Sequence, residues 1–240
     1  MTMMLGKGLA GGKCAAQRQR NASVREGVAI RGLWEAFCFR PYAVTDPGKL
    51  HSWLSNFGQP QHDCERLTHK EFKTLRWLFG DAFSRIAEPL LTGGGLRWAT
   101  DWTNLVVNEG LDHLLDVTLS GATQDTSWFV GLLAASPSPL AAWTATEIAS
   151  NDFVDYSEST LQAWTDGGVS SQSVDNSAST ADFSIDTDSS SIGGAYLIGT
   201  NAKATPAGTL YAAGAFSGGN KAADDGDTLS VTATFTMADD

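Results

Sequence analysis

The chain has 240 residues, of which 42% are hydrophobic and 18% charged, with 25 glycines. It holds enough apolar material for one large domain, or a medium one with an appended segment. That excludes disorder throughout, and the richness in small residues favours turn-rich β-structure over a helical bundle. The net charge of -11 is unevenly spread: residues 1–92 carry 13 basic and 8 acidic side chains (net +5), and residues 93–240 carry 3 and 19 (net -16).

A body that acidic is repelled by nucleic acid and by anionic membrane surfaces, so neither is an expected partner of residues 93–240. The basic excess of residues 1–92 is scattered, its densest cluster being Arg18, Gln19 and Arg20, and it reads as a solvated arm before it reads as a nucleic-acid contact. Cys14, Cys38 and Cys64 lie in no CxxC arrangement, imply no disulfide framework and fit a reducing compartment. No window approaches the ~18 uninterrupted apolar residues of a membrane span. The opening MTMMLGKGLAGGKCAAQRQR has no apolar signal core and only a superficial likeness to a transit peptide.

In chain order, residues 1–30 lack any sustained period and are expected to form a disordered basic arm. Residues 31–92 are expected to form a small helical or irregular segment. Within it Leu33, Trp34, Phe37, Phe39, Tyr42, Leu50, Trp53 and Leu54 are too many for a solvated linker, and Pro41 and Pro47 punctuate them. THKEFKTLRWLFGDAFSRIAE (68–88) predicts a helix. Thr68 and Glu71 have the form of a capping box, and Phe72, Leu75, Leu78, Phe79, Ala82, Phe83 and Ile86 recur at helical spacing until Pro89 stops them. Its Lys and Arg face allows a membrane or partner helix, but core packing is the commoner cause of such a stripe.

Gly93, Gly94 and Gly95 read as a hinge, which opens an acidic β-sandwich domain over 96–240. Leu96, Trp98, Thr100 and Trp102 alternate as in a half-buried strand. Asn104 is the candidate N-cap of a short helix with Val107, Leu111, Leu114 and Leu115 on one face. Further strands are expected at 127–134, in one or two pieces over 153–164, and at 178–186, 194–200, 209–216 and 228–237. Residues 137–152 read as a long loop or short irregular helix. The fold class is therefore mainly β: an antiparallel β-sandwich, jelly-roll or Ig-like, with one short helix near its start.

Candidate chemistry has plainer explanations throughout. His51, His62, Cys64 and His69 are suitable zinc donors, but their spacing matches no zinc pattern. Asp186, Asp188, Asp224, Asp225 and Asp227 suggest a calcium loop, but DDGDT lacks the distal bidentate carboxylate and suits a tight turn. His113 has no serine-nucleophile context, and phosphate loops and dinucleotide fingerprints are absent, so no catalytic residue, cofactor or metal is expected.

The ordered segments NLVVNEGLDHLLDVTL, TSWFVGLLA, AWTDGGVSSQSVDNSAS, GGAYLIGT with TLYAAGAFS, and DDGDTLSVTATFTM resemble those of a class of tailed-bacteriophage structural proteins over roughly residues 96–237. The resemblance implies a non-enzymatic virion component: a capsid-decoration, head-fibre or tail-associated protein. Its expected partners are other virion proteins, and its expected form is a homo-oligomer such as a trimer. The alternative is a carbohydrate-binding module of a phage appendage, with Trp143 or Trp164 as the stacking platform.

Overall fold

The computed structural model describes residues 28–55 and 66–239, so the expected basic arm lies almost wholly outside the described residues, as do His62 and Cys64. The described chain is mainly β. Eleven strands join in one curled antiparallel sheet, and three more form a small sheet of their own. The large sheet runs from β10 (Ala181–Ser184) through β14 (Thr228–Asp239), β1 (Val28–Arg40), β5 (Gly95–Val106), β12 (Leu210–Ala215), β11 (Ser190–Ile198) and β6 (Phe129–Ala134) to β7 (Asp152–Phe153). β8 (Gln162–Ala163) also pairs with β6, β9 (Ser173–Asp175) with β14, and β13 (Lys221–Ala223) with β11.

The curl originates in β5. Its residues up to Asn104 pair with β1, and then Leu105 and Val106 pair with Ala213 and Ala212 of β12. One strand thus belongs to both halves, so a connected path stands where two separate sheets of a sandwich were expected. The far edges approach each other at an isolated bridge, Tyr156 to Ile185, supported by the Ser157 N–H donating to the Ser184 carbonyl at 2.9 Å. Inside the curl Trp34, Trp102, Phe183, Leu132, Leu197 and Phe216 share one core.

Two expectations are corrected by β1 and β5. Residues 28–40 are not helical or irregular; they form a strand between β14 and β5. Trp34, Ala36 and Cys38 point inward at period two and are fully buried. Leu33, Phe37 and Phe39 on the other face hide that alternation, because a strand that is apolar on both sides shows no period. Asn104 is also not an N-cap. It continues the inward row of Trp98, Thr100 and Trp102, and the helix begins four residues later, over Asn108–Leu115, after Val107.

β1 and β5 are sheet neighbours, so residues 41–94 are an insertion in a hairpin. They contain β2 (Tyr42–Val44), helix α1 (Pro47–Ser55), β3 (Arg66–Leu67), helix α2 (His69–Phe79), a π-turn at Phe83–Ala87, a 3-10 turn at Glu88–Leu90 and β4 (Leu91–Thr92), with strand order β3-β2-β4. Val44, Leu50, Trp53, Leu67, Phe72 and Phe83 give this insert a core of its own. The capping box of α2 is present: the Thr68 N–H donates to Glu71 Oε2 at 2.9 Å, and the Glu71 N–H donates to Thr68 Oγ1 at 3.2 Å. The long expected helix breaks early because Gly80 adopts φ +48°, a conformation open chiefly to glycine.

A third cluster lies on the outer face of β6, β11 and β12, where Leu133, Tyr196, Ile198 and Ala213 meet Val107, Ala145 and Ile148. Ala145 and Ile148 belong to a helix over Ala145–Asn151, where a loop or short irregular helix was expected, and a second capping box, Thr144 with Glu147, starts it. We name the helices at Asn108–Leu115 and Ala145–Asn151 α3 and α4. Because β11 is covered on both faces, it is buried at seven consecutive positions, Ile192–Ile198, which is why the sequence there reads as a continuous apolar run.

Candidate functional site

Trp143, one of the two expected platform residues, is half-buried and lines an open groove of about 520 Å³. The groove is assembled from three segments. α3 supplies Asn108, Glu109, Asp112 and His113, with Asp116 just beyond its end; the turn before α4 supplies Ala142, Trp143 and Thr144; Thr209 precedes β12. The Asn108 N–H donates to the Ala141 carbonyl at 2.8 Å, pinning that turn to the start of α3. The other side of α3 lies directly on β12: a Cβ on Gly110 would sit 2.3 Å from the Tyr211 carbonyl oxygen, so only glycine permits this approach. Glu109 Oε2 also accepts from the Leu210 N–H at 3.2 Å.

The groove therefore offers one indole beside three carboxylates, Glu109, Asp112 and Asp116, arranged at i, i+3 and i+7 along the α3 segment. His113 turns away from solvent towards Trp128, edge to face at 5.5 Å, with its Nε2 3.9 Å from Asp125 Oδ2. Such a surface stacks a flat apolar face and accepts hydrogen bonds from hydroxyls or cations. The spacing NEGLDHLLD contains the three carboxylates, but Trp143 is brought to them by contacts over a long sequence separation, the Asn108 to Ala141 hydrogen bond and the packing of Trp143 on the cluster of Val107, Ala145 and Ile148.

Trp164 sits elsewhere. It is half-buried against Phe235 at 6.1 Å, and its Nε1 is enclosed with no hydrogen-bond partner. It packs on the interior core, whereas Trp143 packs on the cluster beneath α4, so the structure does not bring the two tryptophans into one site.

The other flagged residues have structural roles. His69 stacks on Phe39 with ring centroids 3.6 Å apart and planes 3° from parallel; burial, aided by Lys73, lowers its pKa. His51 lies at hydrogen-bond distance from Ser55 Oγ on α1. Among the described residues no group of three or more His, Cys, Asp or Glu is placed to hold a metal ion.

The Asp224–Asp227 stretch is a turn between β13 and β14, clamped by Arg97. The guanidinium donates to Asp224 Oδ2 at 2.7 Å and to Asp227 Oδ2, while Arg66 reaches Asp225 at 3.4 Å. The Arg97 hydrogen bond, with the Ser189 N–H, holds the Asp224 carboxyl below its ordinary range. Cys38 Sγ lies 3.7 Å from Asp227 Oδ2, and burial, reinforced by that carboxylate, pushes its thiol up to about 12, so it is a poor nucleophile. A further polar knot ties the 199–208 loop down: the Ala204 N–H donates to Asp152 Oδ2 at 2.7 Å, Tyr196 Oη donates to the same carboxylate's Oδ1 at 2.8 Å, and Lys203 Nζ lies 3.5 Å from the centre of the Tyr156 ring. No family model, curated protein or solved structure matches the chain.

Proposed function

We propose that the chain is a non-enzymatic structural component of a tailed-bacteriophage particle, of capsid-decoration, head-fibre or tail-associated type, that works through protein–protein contacts. The observation that carries this reading is the presentation of large apolar side chains to solvent, among them Trp77 on α2, 84% exposed, and Leu115 and Leu119 at the end of α3, 54% and 81% exposed. Surfaces of this kind on an otherwise well-packed chain mark contact with another protein. The ordered segments from NLVVNEGL to GDTLSVTATFTM supply the phage assignment. Symmetric copies, a trimer among them, suit such a part.

The test is peptide mass spectrometry and imaging of purified particles made with and without the gene. The expected outcome is this protein present in many copies, with density that disappears in its absence. Particles that never contain it would sink the reading.

A second reading has its own observation: Trp143 faces an open groove beside Glu109, Asp112 and Asp116, which suits an uncharged sugar whose ring stacks on the indole and whose hydroxyls donate to carboxylates. On a glycan array, binding that Trp143→Ala abolishes would favour it, and an array without hits would remove it.

A further inference from the structure

Two of the solvent-facing apolar stretches differ in the charge of their neighbours and are carried by segments that leave β5 at its two opposite ends. On α2 the residues Lys70, Lys73 and Trp77 follow at i, i+3 and i+7 and form one outward stripe, opposite the buried Phe72 and Leu75. At the other patch Leu111, Leu115 and Leu119 follow at i, i+4 and i+8 along α3 and the π-turn Asp116–Ser120 that continues it. Their neighbours Asp112 and Asp116 form a parallel acidic row, and all five side chains are exposed.

The insert that carries α2 leaves the sheet at the Arg40 and Gly95 end of the β1–β5 pair, and α3 follows Val106 at the other end of β5. At about 3.3 Å per residue, the length of β5 separates the two attachment points by roughly 36 Å.

We propose that copies of this chain associate head to tail, the lysine-flanked Trp77 stripe of one copy seating on the leucine row and acidic flank of the next. Like patches do not suit each other: pairing two α3 rows sets Asp112 and Asp116 against their own copies, and pairing two α2 stripes sets lysine against lysine. Opposite patches pair apolar with apolar and lysine with aspartate. Complementary surfaces at separate places on one subunit build a heterologous contact, which closes into a ring where the rotation permits and otherwise extends as a chain. This names the self-contact within the structural role proposed above and rests on that reading for its purpose; the contact itself is a property of the isolated chain.

Sedimentation velocity on the full chain, up to about 100 µM, tests it. One variant carries Lys70→Glu, Lys73→Glu and Trp77→Ala, and a second carries Leu115→Glu and Leu119→Glu. The substituted residues are all exposed, and circular dichroism checks that each variant is folded; Asp112→Lys with Asp116→Lys replaces the second variant should it not fold. Wild type is expected to grow in mass with concentration, and each variant alone to associate at least about tenfold more weakly. An equimolar mixture of the two variants is expected to form a 1:1 dimer that grows no further, because each retains the patch the other lacks. A wild type that stays monomeric, variants that assemble like wild type, or a mixture that forms no dimer would each overturn the proposal. Any of these results leaves the structural role standing if particles contain the protein, so the two ideas fail separately.

Discussion

Asn176 is fully buried where the edge of the large sheet has a gap. β10 pairs with β14 over Thr228–Val231 and β9 pairs with it over Thr234–Thr236, which leaves the backbone between them without a strand. The carboxamide fills that place: Asn176 Oδ1 accepts from the Ala233 N–H at 2.7 Å, and its Nδ2 donates to the Val231 carbonyl at 3.3 Å. Asn176→Ala would leave the buried Ala233 N–H without its acceptor and take one donor from the Val231 carbonyl. We predict a loss of about 2–3 kcal/mol in denaturant unfolding, with faster exchange of the Ala233 amide than of the neighbouring sheet amides.

Arg97 acts on the turn from the opposite side. Its side chain is 17% exposed and that of Asp227 is 1% exposed, so Arg97→Met would leave a buried carboxylate unpaired, at a cost of about 3–5 kcal/mol near neutral pH. Asp224 adds a pH dependence. Its folded pKa is depressed below 3.8, so its contribution is complete above that value and is lost as pH falls through the lower folded value. The stability gap between wild type and Arg97→Met is therefore expected to narrow as pH drops below about 4 in urea titrations. A gap that is constant across that range would show that Arg97 does not act through this carboxyl.

At the level of elements, the parts legible in the sequence are those whose signal is local. Thr68 with Glu71 marks the start of α2 because both partners of the box lie within one turn. The same signature, Thr144 with Glu147, starts α4, yet PSPLAAW before it reads as loop and masks it. β14 is legible because Leu229, Val231, Ala233 and Phe235 alternate with Ser230, Thr232 and Thr234. β1 is not, because its second face is covered in part by the insert, through the stacking of Phe39 on His69. Asn104 reads as a cap by residue type, but an inward strand position overrides that preference: a Cβ on Gly32 would lie 1.6 Å from Asn104 Oδ1, so the glycine across the pair makes room for the amide. At the groove, Trp143 is legible as an aromatic on a loop. Its acidic neighbours are not, because they are brought to it by contacts between distant segments.

For the whole molecule, the change of composition at the triple glycine marks the end of an insertion, and the sheet's own material resumes there. Residues on both sides of the glycines build one core, since Trp34 of β1 and Trp102 of β5 pack 5.8 Å apart. Because Arg40 and Gly95 are register partners, the insert leaves and re-enters at a single place. Replacing residues 41–94 with a two-residue Asn-Gly turn is predicted to leave the curled sheet folded, since the turn suits the strand pair and closes a far shorter loop. Retained near-ultraviolet circular dichroism with a cooperative urea transition would bear this out, and a molten or insoluble product would contradict it. The shortened chain also lacks Trp77 and should not self-associate.

The register of β1 on β14 has a mechanical consequence. Val28 lies opposite Asp239, so the two ends of the described chain emerge side by side from one end of the same strand pair. Tension between them would load that pair across its hydrogen bonds one at a time, as a zipper opens. A pull from residue 28 against the far end of β5 would instead load many bonds in shear. How firmly this protein resists force therefore depends on which two points are held, and gripping both ends of the described chain selects the zipper-like direction.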